Sequence, residues 1–240
     1  MALKERTLVY DIDGAPHEGL LVWDDANMGP RPGVLVAHAW AGRTEFEDDK
    51  ARWLAAQGYV GFALDVYGQG VRGSSTEENA ALMTPFMEDR ARLQKHLLAA
   101  LTAMREQSEV DAARCAGIGF CFGGLCMLDL ARIGTEVAGV VSVHGLLTPP
   151  GNTEGRAIGT SVLCLHGYDD PMAPPESVLE LAKEMSAAGA DWQLHAYGGT
   201  VHAFTNPQAQ DPDFGTVYSE RASRRAHAAM IDFLAELFPA

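Results

Sequence analysis

The sequence predicts an α/β protein, a mostly parallel, twisted sheet with helices on both faces. Three observations carry this. Near-continuous apolar runs of strand length alternate with segments of helical period. The runs lack the polar alternation of a half-exposed strand, so they belong to a sheet covered on both sides. The chain of 240 residues, 47% hydrophobic and 21% charged, suits a single large globular domain spanning 1–240.

The elements follow in order. Residues 7–12 and 17–24 read as a hairpin around Asp13-Gly14. Residues 33–38 (GVLVAH) are a buried strand, followed by a helix over about 46–57 that ends at Gly58. Residues 59–65 (YVGFALD) are the next strand, and the glycine- and serine-rich stretch 66–75 is a loop. Residues 76–106 read as helical, broken at Pro85 because proline lacks the donor and crowds the preceding turn. Then come a strand at 113–119, a helix at 122–133, a strand at 137–143, a loop over 146–160 and a strand at 161–166 (SVLCLH). A helix at 175–188, a strand at 191–197 and a closing helix at 216–237 complete the chain. Such strand–helix alternation implies right-handed crossovers. No repeat, low-complexity tract or connection long enough for a lid domain is present.

The formal net charge is −14. Nucleic acid and anionic membrane surfaces both demand a basic patch, so neither is expected as a partner. No apolar run reaches the length of a signal peptide or a membrane span. A cytoplasmic location is expected, with Cys115, Cys121, Cys126 and Cys164 reduced. Their spacings match no zinc pattern, and no metal or cofactor is called for. A monomer or a homodimer would be compatible with the sequence.

The sharpest signal is Gly117-Ile118-Gly119-Phe120-Cys121-Phe122-Gly123-Gly124, between an apolar strand and an apolar helix. It contains G-x-nucleophile-x-G, the elbow of the α/β-hydrolase fold, with Cys in place of Ser. The nucleophile sits in a strained turn, so its neighbours two residues away must lack side chains. It also sits at a helix N-terminus, which favours a thiolate. A dinucleotide fingerprint fails here, because Phe122 stands where its third glycine is required.

In this fold the acid and histidine follow in chain order. Leu163-Cys164-Leu165-His166-Gly167-Tyr168-Asp169-Asp170-Pro171 ends a strand in two carboxylates, of which the G-x-x-D-P spacing selects Asp170. Tyr197-Gly198-Gly199-Thr200-Val201-His202 ends the last strand in a glycine pair and a histidine. Asp170 lies 49 residues beyond Cys121 and His202 a further 32, room enough for the intervening elements. The backbone N–H groups of Trp40 and Phe122 are the candidate oxyanion hole. His38 and His144, at strand ends, are candidate pocket residues. His17, His96, His195 and His227 are expected on solvent or helix surfaces, His166 in the interior, and the other three cysteines as packed hydrophobes.

The segments HAWAG, YVGFALDVYGQG, GFCFGG, HGYDDP and GGTVHAF together resemble the dienelactone hydrolase family along nearly the whole chain. The resemblance implies a lidless α/β hydrolase with a Cys121–Asp170–His202 triad. It also implies two departures. Ala39 stands where the family has an acidic residue that holds the resting thiol, and Asn206 where it has an Arg that binds the lactone carboxylate. Arg72 is the nearest substitute cation. The aromatic residues Trp40, Phe120, Phe122, Tyr67 and Phe204 then favour small neutral aryl esters, and the variant resembles members with arylesterase and promiscuous aryl phosphotriesterase activity. The expected reaction is ester or lactone hydrolysis through a thioester, or phosphotriester or thioester hydrolysis on the same residues. The alternative of another class is a non-catalytic redox sensor whose Cys121 is merely oxidisable.

Overall fold

The structure, a computed structural model, describes residues 2–26 and 29–239. It divides into two compact units that meet in the chain between Ile118 and Gly119.

The first unit opens with β1 (Leu3–Ile12) and β2 (Ala15–Asp24), paired antiparallel from Leu3↔Asp24 to Ile12↔Ala15. Asp13 and Gly14 both take positive φ, as a two-residue hairpin turn requires. β3 (Arg31–Ala37) and β4 (Val60–Ala63) pair in parallel, and β2 pairs antiparallel with β4. β3 is buried after its first residue and β4 throughout, which is why neither alternates. Between them α1 (Glu45–Ala56) starts with a reciprocal capping box between Thr44 and Glu47. β5 (Val110–Phe120) carries the chain out of this unit, its last two residues belonging to the second.

The predicted break in the next helical stretch is displaced. Pro85 lies inside α2 (Thr76–Glu88), and the chain turns instead at Asp89. Asp89 leaves the helical region, and its carboxylate accepts from Arg92 N at 2.9 Å to cap α3 (Arg90–Arg105). The cap beat the proline: one missing donor is tolerated, whereas a new N-terminus needs an acceptor.

The second unit holds α4 (Phe122–Arg132), β6 (Gly139–Val143), β7 (Ser161–Gly167), α5 (Pro175–Ala187), β8 (Trp192–Tyr197) and α6 (Glu220–Leu237). β6, β7 and β8 pair in parallel, from Gly139↔Ser161 to Val143↔Leu165 and from Val162↔Trp192 to Gly167↔Tyr197. Every residue of α4 is buried, as expected of a helix apolar all round. Its last residue, Arg132, pairs bidentately with Glu184 at 2.8 and 2.7 Å, contacts Asp129 at 3.4 Å, and donates to the carbonyls of Leu147 and Thr148. The closing helix is shorter than expected. Residues 216–217 form β10 (Thr216–Val217), paired antiparallel with β9 (Gln210–Asp211), and α6 begins only after Ser219, whose hydroxyl accepts from Ala222 N.

The main sheet has eight strands in the order β1-β2-β4-β3-β5-β6-β7-β8. It is mostly parallel, with the antiparallel hairpin at one edge, and among the described residues no connection forms a lid. No described helix is long and apolar enough to cross a membrane.

Candidate active site

β5 delivers the chain to Phe120, and Cys121 turns it into α4 with φ 57° and ψ −116°. Few L-residues adopt such a backbone, and it persists only where the surroundings enforce it. Two features do so. A Cβ at Gly119 would fall on the carbonyl of Gly123, so the turn closes only around glycine. The Cys121 N–H donates to Val143 O at 3.1 Å and to Nδ1 of His144 at 3.2 Å. Cys121 is partly exposed, whereas Cys115, Cys126 and Cys164 are buried. Burial pushes the Cys115 thiol up and the Cys164 thiol up to about 12, which leaves them inert.

The parallel register of β7 and β8 sends both following loops from the same end of the strands. There His202 Nδ1 donates to Asp170 Oδ2 at 2.7 Å, and Asp170 Oδ1 accepts from Met172 N at 2.8 Å. Both side chains are buried. The neighbouring Asp169 is exposed, and its carboxylate accepts from Gly199 N at 2.6 Å. The His202 backbone is clamped by the β9–β10 ribbon: its N–H donates to Gly215 O at 3.0 Å and its carbonyl accepts from Val217 N at 3.2 Å. Gly215 has φ 78°, and a Cβ there would strike the Pro171 ring, so the ribbon rests directly on the loop that carries Asp170.

Burial alone would lower the His202 pKa. The electrostatic pull of Cys121, with the Asp170 hydrogen bond behind it, overrides that and carries it up to about 10. Nε2 of His202 is buried and makes no regular hydrogen bond to any described residue, while Cys121 acts on the ring.

His144 and Phe204, expected to line a pocket, are both buried. The His144 ring meets His202 and Phe204 edge-on, each at 5.2 Å between centroids, and its Nε2 lies 2.9 Å from Thr205 Oγ1. Thr205 escaped the sequence reading; its place three residues after His202 was the available signal. Asn206 turns into its own loop, its side-chain oxygen accepting from Gln208 N.

The remaining pocket candidates gather in the first unit. His38 is fully buried, its Nδ1 donating to Ala39 O at 2.7 Å and its Nε2 accepting from Val66 N at 3.1 Å. Tyr67 packs on the His38 ring at 4.7 Å and donates its hydroxyl to Trp40 O at 3.0 Å. Arg72 is exposed, and its Nε donates to Arg43 O. Ala39 N donates to the buried carboxylate of Glu47 at 3.2 Å, a loop anchor the sequence reading missed and the capping-box spacing could have disclosed. Two histidines expected on surfaces are buried instead. His17 stacks on Tyr10 and meets His96 edge-on at 5.0 Å, and His96 bonds Val66 O at 2.8 Å.

A dienelactone hydrolase family model matches residues 18–238. The chain belongs to the dienelactone hydrolase family. It is an α/β hydrolase that acts on ester or lactone bonds. A putative carboxymethylenebutenolidase of Aquifex aeolicus is 27% identical over 209 residues, covering 84% of this chain and 87% of that protein. The carboxymethylenebutenolidase of Pseudomonas sp. (strain P51) is 26% identical over 216 residues, covering 88% and 87%. Among solved structures, a dienelactone-hydrolase-like promiscuous phosphotriesterase from metagenomic libraries superposes with a TM-score of 0.92 at 34% identity, covering 99% of each chain.

Proposed function

We propose that this dienelactone hydrolase family member cleaves small neutral aryl esters with Cys121 as nucleophile, His202 as acid–base group and Asp170 as the group that orients the imidazole. The observation that carries this reading is the 2.7 Å Asp170–His202 bond beside a partly exposed thiol on a strained turn at a helix N-terminus.

In the first half-reaction the Cys121 thiolate attacks the ester carbonyl carbon. The oxyanion collects on backbone N–H groups at the start of α4, where Phe122 stands. The carbon–oxygen bond then breaks, and the leaving alkoxide takes the proton from His202. In the second half His202 removes a proton from water, hydroxide adds to the thioester, and the carbon–sulfur bond breaks, which restores the Cys121 thiolate and releases the acid product. Asp170 keeps the Nδ1 proton in place, so Nε2 faces the chemistry throughout.

Two residues support neutral substrates: Asn206, where the family's carboxylate-binding Arg is expected, and Ala39, where its acid is expected. A buried carboxylate without a cation is costly. An Arg contact contributes roughly 1.5–3 kcal/mol per charge-assisted hydrogen bond. Its loss should lower selectivity for anionic substrates by at least about tenfold.

A second reading is favoured by the 34% identical promiscuous phosphotriesterase. The same thiolate would attack the phosphorus of a neutral aryl phosphotriester and expel the aryloxide. One panel tests both readings, comparing kcat/KM of wild type and Cys121→Ala on a p-nitrophenyl ester, a matched ester bearing a free carboxylate, dienelactone and an aryl phosphotriester. The neutral ester should rank above both anions, and folded Cys121→Ala should lose more than about a thousandfold on every substrate. A preference for the anionic members would refute the neutral-ester assignment, and a folded Cys121→Ala that keeps a tenth of the rate would refute the nucleophile.

A further inference from the structure

We infer that His144 is a positioning residue, which fixes the Cys121 main chain to the segment after His202 through the hydrogen-bonded chain Cys121 N–H to Nδ1 and Nε2–H to Thr205 Oγ1. The inference rests on the proposed thiol chemistry and deepens it.

The geometry dictates the tautomer. A backbone N–H can only donate, so Nδ1 of His144, 3.2 Å from Cys121 N, is the accepting nitrogen. The ring proton therefore sits on Nε2 and points at Thr205 Oγ1, 2.9 Å away. His144 is held in this bridge on three sides. Its own N–H donates to Leu165 O at 2.8 Å. Its backbone sits at φ 38°, a region that β-carbon-bearing residues seldom enter. Its ring packs edge-on against Phe204 and, with an interplanar angle of 61°, against His202 itself. Ala203, between His202 and Phe204, also has positive φ, at 56°. The bridge thus joins two strained turns, one presenting the thiol and the other the imidazole. The ring nitrogens of His144 engage Cys121 N and Thr205 Oγ1. The residue acts by fixing where Cys121 and His202 stand, and a displacement of about 1 Å in such a pair costs on the order of a hundredfold in rate.

Three variants test this: His144→Phe, His144→Gln and Thr205→Val. Phenylalanine keeps the ring packing and removes both hydrogen bonds. Glutamine can restore them, since its oxygen can accept from Cys121 N while its amide donates to Thr205. The readouts are kcat and KM on a p-nitrophenyl ester, and the rate of Cys121 alkylation by iodoacetamide against pH, with circular dichroism and melting to establish folding. His144→Phe should lower kcat by about 10–100-fold with KM within about threefold, and should shift the midpoint of the alkylation profile. His144→Gln should recover most of both. Thr205→Val, which interrupts the chain at its far end, should lie between them and carries the test should His144→Phe fail to fold. The inference is overturned if folded His144→Phe matches wild type in kcat and alkylation profile, or if His144→Gln is as impaired as His144→Phe. Wild-type enzyme that stays active after Cys121 is alkylated would instead overturn the thiol chemistry, a separate result.

Discussion

Asp170 and Asp169 are chain neighbours with different surroundings, and exchanging each for asparagine separates catalysis from loop structure. In Asp170→Asn the new amide must choose which of two sites takes its NH₂ group. One site faces Met172 N–H at 2.8 Å and the other faces Nδ1 of His202 at 2.7 Å. Placing NH₂ against Met172 would set two donors together in a buried place, so the oxygen stays there and the NH₂ turns to Nδ1. Nδ1 must then accept, the imidazole proton moves to Nε2, and the base is blocked. Loss of an orienting carboxylate by this route costs about 10²–10⁴-fold in kcat, or roughly 3–5 kcal/mol of barrier. The alkaline limb of the rate profile should also move to lower pH, because Asp170 is one of the groups that raise the His202 pKa. In Asp169→Asn the exposed side chain can still accept from Gly199 N through its oxygen, so the loss should stay below about fivefold. The assay is kcat/KM on a p-nitrophenyl ester between pH 6 and about 10, with circular dichroism as the folding control. Equal losses, or the reverse ranking, would show that the 2.7 Å contact does not orient the base.

Two further outcomes concern stability. Burial lowers the pKa of His38 and His96 in the folded state, so the unfolded chain binds more protons just below its ordinary histidine pKa. Their contribution is present above about pH 6.5 and is lost as pH falls below it. Tm should therefore drop from pH 7 to about 5.5, and drop less in His96→Gln; an equal drop in both would exclude His96 as a source. Arg132→Met leaves the fully buried Asp129 without its guanidinium, at about 3–5 kcal/mol, and should lower Tm by roughly 6–20 °C. Thermal melting within about 2 °C of wild type would contradict this.

The strands of the main sheet and the elbow were legible in the sequence because each is written locally. β3 and β7 are unbroken apolar runs, and the elbow is a fixed spacing of glycines around one residue. The G-x-x-D-P spacing singles out Asp170, the carboxylate that meets His202. What escaped depended on partners distant in the chain. His96 follows Leu93 by three residues and precedes Ala100 by four, which are positions on the buried face of α3; its polarity masked a period that reads inward. The β9–β10 ribbon is two residues per strand, too short for any periodic signal, and its residues 216–217 merged with the helix that follows. The bond between Cys121 N and His144 spans 23 residues and arises only when β5 and β6 have both ended.

The ribbon has a consequence for how the enzyme dies on heating. It is a two-rung sheet, yet it supplies both backbone partners of His202. A structure that small opens far more readily than the strands beneath it. Each opening releases the His202 main chain, and loosens the seat of its imidazole, while the sheet remains intact. Activity is therefore expected to fade at temperatures where circular dichroism still reports a native protein, and to return on cooling, with the His202 amide exchanging its hydrogen well ahead of the amides of β7.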